Sequence, residues 1–157
     1  MKTKKIALIL LLNLLSLATF ADGYQINSQS ARQIGMGHVG TAIKLGSESI
    51  LFNPAGLSYI NGTFDASLGV TAIMSKVKYT NTAGTYKAES DNPVGTPIFG
   101  YIGYRISPRF VAGIGLTNPG GNNLEWPDNW AGSHIIQNIS LASFSLQPTL
   151  SYKISEN

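Results

Sequence analysis

Cysteine is absent from the 157 residues, which excludes a disulfide framework, a thiolate metal site and a cysteine-anchored lipoprotein together. Charge is scarce: 12% of residues are Asp, Glu, Lys or Arg, about half the share usual in globular proteins. The positive balance is local. Lys2, Lys4 and Lys5 supply all of it, and from residue 22 onward basic and acidic side chains cancel. A nucleic-acid partner needs a basic face, and the body of the chain has none. His38 and His134 are the only histidines, with neither acid nor thiolate at ligand spacing, so no metal site and no cofactor is expected. There is no G-x-S-x-G elbow, and the serines sit in alternating or polar surroundings, so the chain does not read as an enzyme.

What is present begins with a leader. Residues 1–21 show a lysine-rich start, an apolar run broken only by Asn13 and Ser16, and small residues Thr19 and Ala21 at −3 and −1 of an expected cleavage after Ala21. The run falls short of the roughly 20 apolar residues of a spanning helix, so export is expected rather than anchoring.

Residues 22–62 are rich in Gly, Ser, Gln and Asn without a sustained period, and read as irregular backbone with short helical turns. Asn53 is a good N-cap, and Pro54 follows it where a helix tolerates proline. Gly35, Gly37 and Gly40 spell G-x-G-x-x-G. Dinucleotide binding would need a buried strand before them and an acid about 20 positions on; polar residues precede them and Glu48 comes too soon. A tight irregular backbone accounts for them better.

From residue 63 the period becomes two. Phe64, Ala66, Leu68, Val70, Ala72 and Met74 alternate with small or polar residues over 63–75, the length of a membrane-spanning strand. A second run over 97–107 sets Ile98, Ile102, Tyr104 and Ile106 against Phe99, Tyr101 and Arg105. Ser107, Pro108 and Arg109 turn the chain tightly into a third run over 110–117, which makes an antiparallel hairpin. A fourth run over 139–154 carries Ala142, Phe144, Leu146, Leu150, Tyr152 and Ile154 on one face, with Pro148 as an irregularity. Long loops at 79–96 and 118–138 alternate with the short turn, as in outer-membrane barrels. Tyr79, Tyr101, Tyr104, Phe110, Phe144 and Tyr152 are candidates for interfacial girdles. A soluble β-sandwich also alternates, but it solvates its polar face with charge; here that face is Ser, Thr, Gly and Gln. Trp126 and Trp130 both lie in the second long loop. Either they pack it against the barrel rim, or they offer an apolar capture surface for a hydrophobic ligand.

Gly23, Tyr24, Gln25, Ile26 and Asn27, then Ser30, Ala31, Arg32, Gly35, Met36, Gly37 and Gly40, and finally Asn53, Pro54, Ala55, Gly56 and Leu57 resemble the opening and the NPAGL signature of the FadL/TodX family. Those proteins are outer-membrane transporters of long-chain fatty acids and aromatic hydrocarbons. The resemblance extends over the four strands and the loop bearing Glu125, Trp126, Trp130, Ala131 and Gly132. It implies an all-β fold: a transmembrane β-barrel, of fourteen strands in the full-length protein, an even number as in other bacterial barrels. This chain would supply the N-terminal part, hatch plus first four antiparallel strands. The organisation expected is a signal peptide over 1–21, a hatch inside the barrel over 22–62 and the four strands over 63–157.

The function that the resemblance implies is passive uptake of hydrophobic small molecules across the bacterial outer membrane, with hatch-gated lateral exit into the lipid. The partners implied are outer-membrane lipid and a hydrophobic small-molecule ligand. The candidate ligand-contacting residues are Tyr24, Ile26, Trp126 and Trp130. Gly23, Asn53, Pro54, Ala55 and Gly56 would carry the hatch motif, and a third-strand kink would fall near Gly113 and Gly115. The alternative is a non-transporting structural barrel or adhesin. A closed barrel needs at least eight strands, and the sequence ends on Lys153, Ile154, Ser155, Glu156 and Asn157 rather than on a terminal aromatic. The remaining barrel strands are therefore expected outside this chain.

Overall fold

The structure, a computed structural model, describes residues 25–155. The expected leader, with Gly23 and Tyr24, lies outside the described residues. Short helical turns come first, Ala31–Gly35, Gly40–Ala42, Gly46–Glu48, Ser49–Phe52 and Pro54–Tyr59. Eight strands follow: β1 (Phe64–Val70), β2 (Lys78–Thr80), β3 (Lys87–Glu89), β4 (Ile98–Ser107), β5 (Phe110–Thr117), β6 (Gly121–Glu125), β7 (Asn138–Ala142) and β8 (Ser145–Tyr152). The main sheet has the order β1-β4-β5-β8, antiparallel throughout, while β2 pairs with β3 and β6 with β7.

The main sheet matches the four expected strands, with corrections. The pairing of β1 ends at Val70, short of residue 75, and beyond it the Thr71 amide donates to the Pro97 carbonyl at 3.0 Å and an isolated bridge joins Ile73 to Gly95. The fourth run divides into β7 and β8 around residues 143–144. Both long loops contain strands: the first holds the β2–β3 hairpin, and the second supplies β6 to pair with β7. The tight turn is as expected, since Ser107 pairs with Phe110 across Pro108 and Arg109.

The two faces of the sheet are sorted in the opposite sense to a water-soluble protein. The apolar set faces out and is uncovered, with Leu68 85% and Leu150 69% exposed and Ile102, Ile114 and Leu146 exposed beside them. The other face packs against residues 25–62. There Ile50, Leu57 and Ile60 of the irregular segment form one buried cluster with Phe99, Tyr101 and Val111 of β4 and β5. A soluble sheet would bury the first face and solvate the second. Tyr101, expected at a girdle, is on the inner face and buried, and its hydroxyl donates to the Gln29 carbonyl at 2.9 Å. Tyr104, Phe144 and Tyr152 are on the outer face and exposed.

Local chemistry shapes the irregular segment. Ser30, in extended backbone, caps the helix Ala31–Gly35 by accepting from the Gln33 amide at 3.1 Å. That helix stops where Gly37 and His38 both take positive φ; of the three glycines of the G-x-G-x-x-G run, only Gly37 serves in this way. Asn53 does precede the turn Pro54–Tyr59, but its side chain makes no capping bond; its amide donates to the Thr41 carbonyl at 3.1 Å instead.

The β2–β3 hairpin carries a small electrostatic tie. Glu89 meets Lys76 at 3.1 Å and Lys78 at 3.3 Å, and these bonds hold its carboxyl below the usual carboxylate range. Because the folded-state value is depressed, the contribution is present above the ordinary glutamate value of about 4.3 and is lost as pH falls through the lowered one. The protection of the Tyr79 amide, its observed exchange rate set against the intrinsic rate at the same pH, is expected to stay level between about pH 5 and 8, where Glu89 remains ionised, and to drop only in more acidic solution.

Candidate functional site

Inner wall and irregular segment are joined by polar contacts as well as by the apolar cluster. Glu48, 4% exposed, accepts from Ser67 Oγ of β1 at 2.8 Å and from Ser30 Oγ. Asp65 accepts from the Ser47 amide at 2.6 Å. The Gln147 amide donates to the Ile50 carbonyl at 2.7 Å, and Ser151 Oγ to the Ala55 carbonyl at 3.2 Å. Arg105 donates to the carbonyls of Ile60 at 2.6 Å, Gly62 at 3.1 Å and Ser58 at 3.3 Å, clasping the segment where it enters β1.

The wall is interrupted at one level. β5 ends at Thr117, and Asn118, Pro119 and Gly120 intervene before β6; opposite them, Ser143 and Phe144 separate β7 from β8. Proline removes a ladder donor, and the glycines relax the backbone. Beyond this level β6 pairs only with β7, so a gap opens between β6 and the segment around Gly95 that leads into β4. A cavity of about 460 Å³ occupies the gap. Ile73, Pro93, Pro97 and Ile98 line one side, Gly121, Leu141 and Phe144 the other, and Ile26 of the irregular segment reaches it from inside.

Ile26 is held there by its amide, which donates to the Pro119 carbonyl at 2.8 Å. A Cβ added at Gly121 would lie 3.3 Å from Ile26 Cδ1, so the bare backbone of Gly121 is what the isoleucine packs on. Beside it a pair of amides fills the break. Asn118 Oδ1 accepts from the Ile98 amide at 2.9 Å, and Asn118 Nδ2 donates to the Ser143 carbonyl at 2.9 Å. The Asn118 backbone is met in turn by Gln29, whose Oε1 accepts from its amide at 3.3 Å and whose Nε2 donates to its carbonyl.

The structure brings together only part of the expected site. Ile26 lines the cavity, whereas Trp126 and Trp130 do not. The two indoles stack on each other at 4.3 Å between centroids, and Trp130 also meets the Tyr79 ring at 5.8 Å. Trp130 Nε1 donates to the Ile136 carbonyl at 2.8 Å, and Trp126 is 7% exposed. These contacts knit the second long loop to the β2–β3 hairpin. Asn53, Pro54, Ala55 and Gly56 lie in the segment against the wall, where Gly56 accommodates Ser49: a Cβ there would sit 3.0 Å from Ser49 Oγ.

At Gly113 and Gly115, where a kink is expected, the pairing is regular. Gly113 pairs with Gly103 and Thr149, Gly115 with Tyr101 and Gln147, and neither ladder shifts register there. Both glycines instead admit the irregular segment: a Cβ on Gly113 would meet Ile50 Cδ1 at 2.7 Å, and one on Gly115 would meet Ile50 Cγ2 at 3.0 Å. Sequence reasoning missed Gln29, Asn118 and Ser143, and took Phe144 only as a girdle candidate. The signal for the break was the run Asn118, Pro119, Gly120, Gly121, whose turn-forming character was absorbed into a loop of 118–138.

Comparison with known proteins fits this geometry. A family model described as outer membrane protein transport protein (OMPP1/FadL/TodX) matches residues 12–157. Among solved structures, the crystal structure of a Pseudomonas aeruginosa FadL homologue is similar, with a TM-score of 0.63 and 17% sequence identity. The match covers 87% of this chain and 35% of that chain, so this chain spans about a third of the length of that relative. The comparison with curated proteins gives no match.

Proposed function

Because the chain belongs to the outer membrane protein transport family (OMPP1/FadL/TodX), we propose that it forms the first part of a closed outer-membrane barrel for passive uptake of hydrophobic small molecules. In this reading residues 22–62 are the hatch and 63–157 the first four wall strands. The short β4–β5 turn faces the periplasm, and the β2–β3 hairpin with its tryptophan-knit partner loop faces outward. Long-chain fatty acids or aromatic hydrocarbons are the cargo class. They leave sideways, through the gap beside Asn118 rather than at Gly113, and so are spared passage through water.

The observation that supports this reading best is the cavity at the wall interruption with Ile26 reaching it from the hatch. Its volume of about 460 Å³ falls within the roughly 300–1,000 Å³ of small-molecule sites. Its neighbours on the outer face, Leu146 and Ile98, are exposed apolar residues of the kind that would meet lipid. Tyr24, just before the described residues, is proposed to lie near the inner pocket. Trp126 and Trp130 act by shaping the outer loops.

Uptake of a radiolabelled long-chain fatty acid by cells making the intact protein tests the proposal. Ile26→Asp puts an unpaired charge into the apolar path, and a barrier increase of about 1.4 kcal/mol already means tenfold. Uptake is expected to fall at least about tenfold while the amount of folded protein in the membrane stays the same. No uptake above the empty-vector background by the unaltered protein would remove transport and leave the structural barrel or adhesin as the reading.

A further inference from the structure

At the interruption, four backbone groups have lost the partners that an unbroken ladder would give them: the amides of Ile98 and Asn118 and the carbonyls of Asn118 and Ser143. Each is satisfied by a side-chain amide. Asn118 bridges the gap laterally, from Ile98 at one end to Ser143 at the other. Gln29 reaches out from the hatch and takes both backbone groups of Asn118, as a neighbouring strand would. Both residues are buried, Gln29 at 1% exposure and Asn118 at 8%. Away from water an unsatisfied backbone group is costly, so these bonds hold the arrangement firmly.

A side-chain amide differs from a strand in one respect that matters here. It can be withdrawn by rotation about its own bonds, while the ladders on either side, Thr117 with Ser145 below and Gly121 with Ala142 above, stay paired. We propose that Gln29 and Asn118 are the bolt of the lateral gap: Gln29 bound to Asn118 holds the gap narrow, and its release is the step that widens it for an apolar molecule. This rests on the reading of the gap as the exit. Release would couple to the cavity directly. Gln29 Nε2 also lies 3.3 Å from the Ile26 carbonyl, and the Ile26 amide is bound to Pro119, so the hatch residue in the cavity and the bolt are tied to the same stretch of wall. Gln29 itself does not line the cavity, so it acts as a positioning residue.

The test is Gln29→Leu in the intact protein, reconstituted in liposomes and assayed for entry of a fluorescent long-chain fatty acid, with Asn118→Leu as a second variant. Leucine keeps the bulk of the side chain and removes both bonds to Asn118 together with the one to the Ile26 carbonyl. Loss of the two bonds to Asn118 is expected to raise the maximal entry rate about five- to tenfold, with the half-saturating concentration unchanged. Amide hydrogen exchange supplies a readout that does not depend on transport. In Gln29→Leu, exchange at Ile98 and Asn118 is expected to quicken about tenfold while Gly113, inside the continuous ladder, keeps its rate. Unchanged exchange at Ile98 and Asn118 overturns the bolt, as does a fall in entry rate with folding intact, which would place Gln29 in the path of the ligand. If the unaltered protein admits no fatty acid, the exit reading falls and the bolt of that exit with it, and quickened exchange would then show only that Gln29 braces the wall at Asn118.

Discussion

Gly113→Val is expected to drive the irregular segment of residues 25–62 away from the sheet and to cost several kcal/mol of stability. A Cβ at this position would lie 2.7 Å from Ile50 Cδ1, 3.0 Å from Leu57 Cδ2 and 2.9 Å from the Ile102 carbonyl oxygen. The isoleucine and leucine tips can yield; the carbonyl cannot, because Ile102 is fixed by pairing with both Ala66 and Ile114. Overpacking of this kind costs about 1–3 kcal/mol. Displacing Ile50 and Leu57, both fully buried, would add about 1.5–3 kcal/mol for each side chain exposed. The measurement is limited proteolysis of residues 25–62 in the folded protein together with the denaturant midpoint. Gly115→Ala is the graded comparison. Its added Cβ meets only side chains, Ile50 Cγ2 at 3.0 Å and Tyr101 Cδ1 at 3.1 Å, so the loss is expected to be smaller. Equal losses for the two would mean that the Ile102 carbonyl is not the obstacle.

Glu48→Ala is expected to cost about 3 kcal/mol, mostly through hydrogen bonds rather than through charge pairing. The carboxylate is buried and joins the Ser30 cap of the first helix to Ser67 on β1, so its removal strands two hydroxyls and empties a buried volume at once. The salt bridge to Arg32 is the lesser part. Its atoms are 3.9 Å apart and the arginine side chain is 62% exposed, the situation in which an ion pair contributes about 0–1 kcal/mol. Arg32→Ala should therefore cost under about 1 kcal/mol, and Glu48→Gln, which keeps one acceptor oxygen, should fall between the two. Denaturant midpoints of the three variants decide the order. An Arg32→Ala loss as large as that of Glu48→Ala would show that the ion pair, not the serine bonds, holds the irregular segment to β1.

The sequence by itself determined the four strands of the main sheet and which face of each is apolar. Period-two alternation is a local property, and a one-residue slip would move every side chain to the other face, so Phe64, Leu68, Ile102, Ile114 and Leu150 could be assigned to one side before any pairing was known. The turn at Pro108 and Arg109 was legible because proline fixes its own φ and leaves few ways on. The signature residues from Asn53 to Leu57 pointed to the family that the comparison then showed.

Tertiary structure decided the rest, because the rest depends on partners far away in the chain. The break at 143–144 is invisible in the alternation, since Ala142, Phe144 and Leu146 keep their rhythm across it while the pairing partner changes from β6 to β5. β6 has no alternation to read; Asn122 and Asn123 become a strand only because β7 offers them a ladder. Gly113 reads as a weak point in a strand, yet it answers to Ile50, 63 positions earlier. The two tryptophans could have been a capture surface or a brace, and the contact with Tyr79 settles their packing. Gln29 and Asn118 carry no pattern at all: two amides 89 residues apart become a site only when the fold removes the strands that would otherwise have bonded to the same backbone.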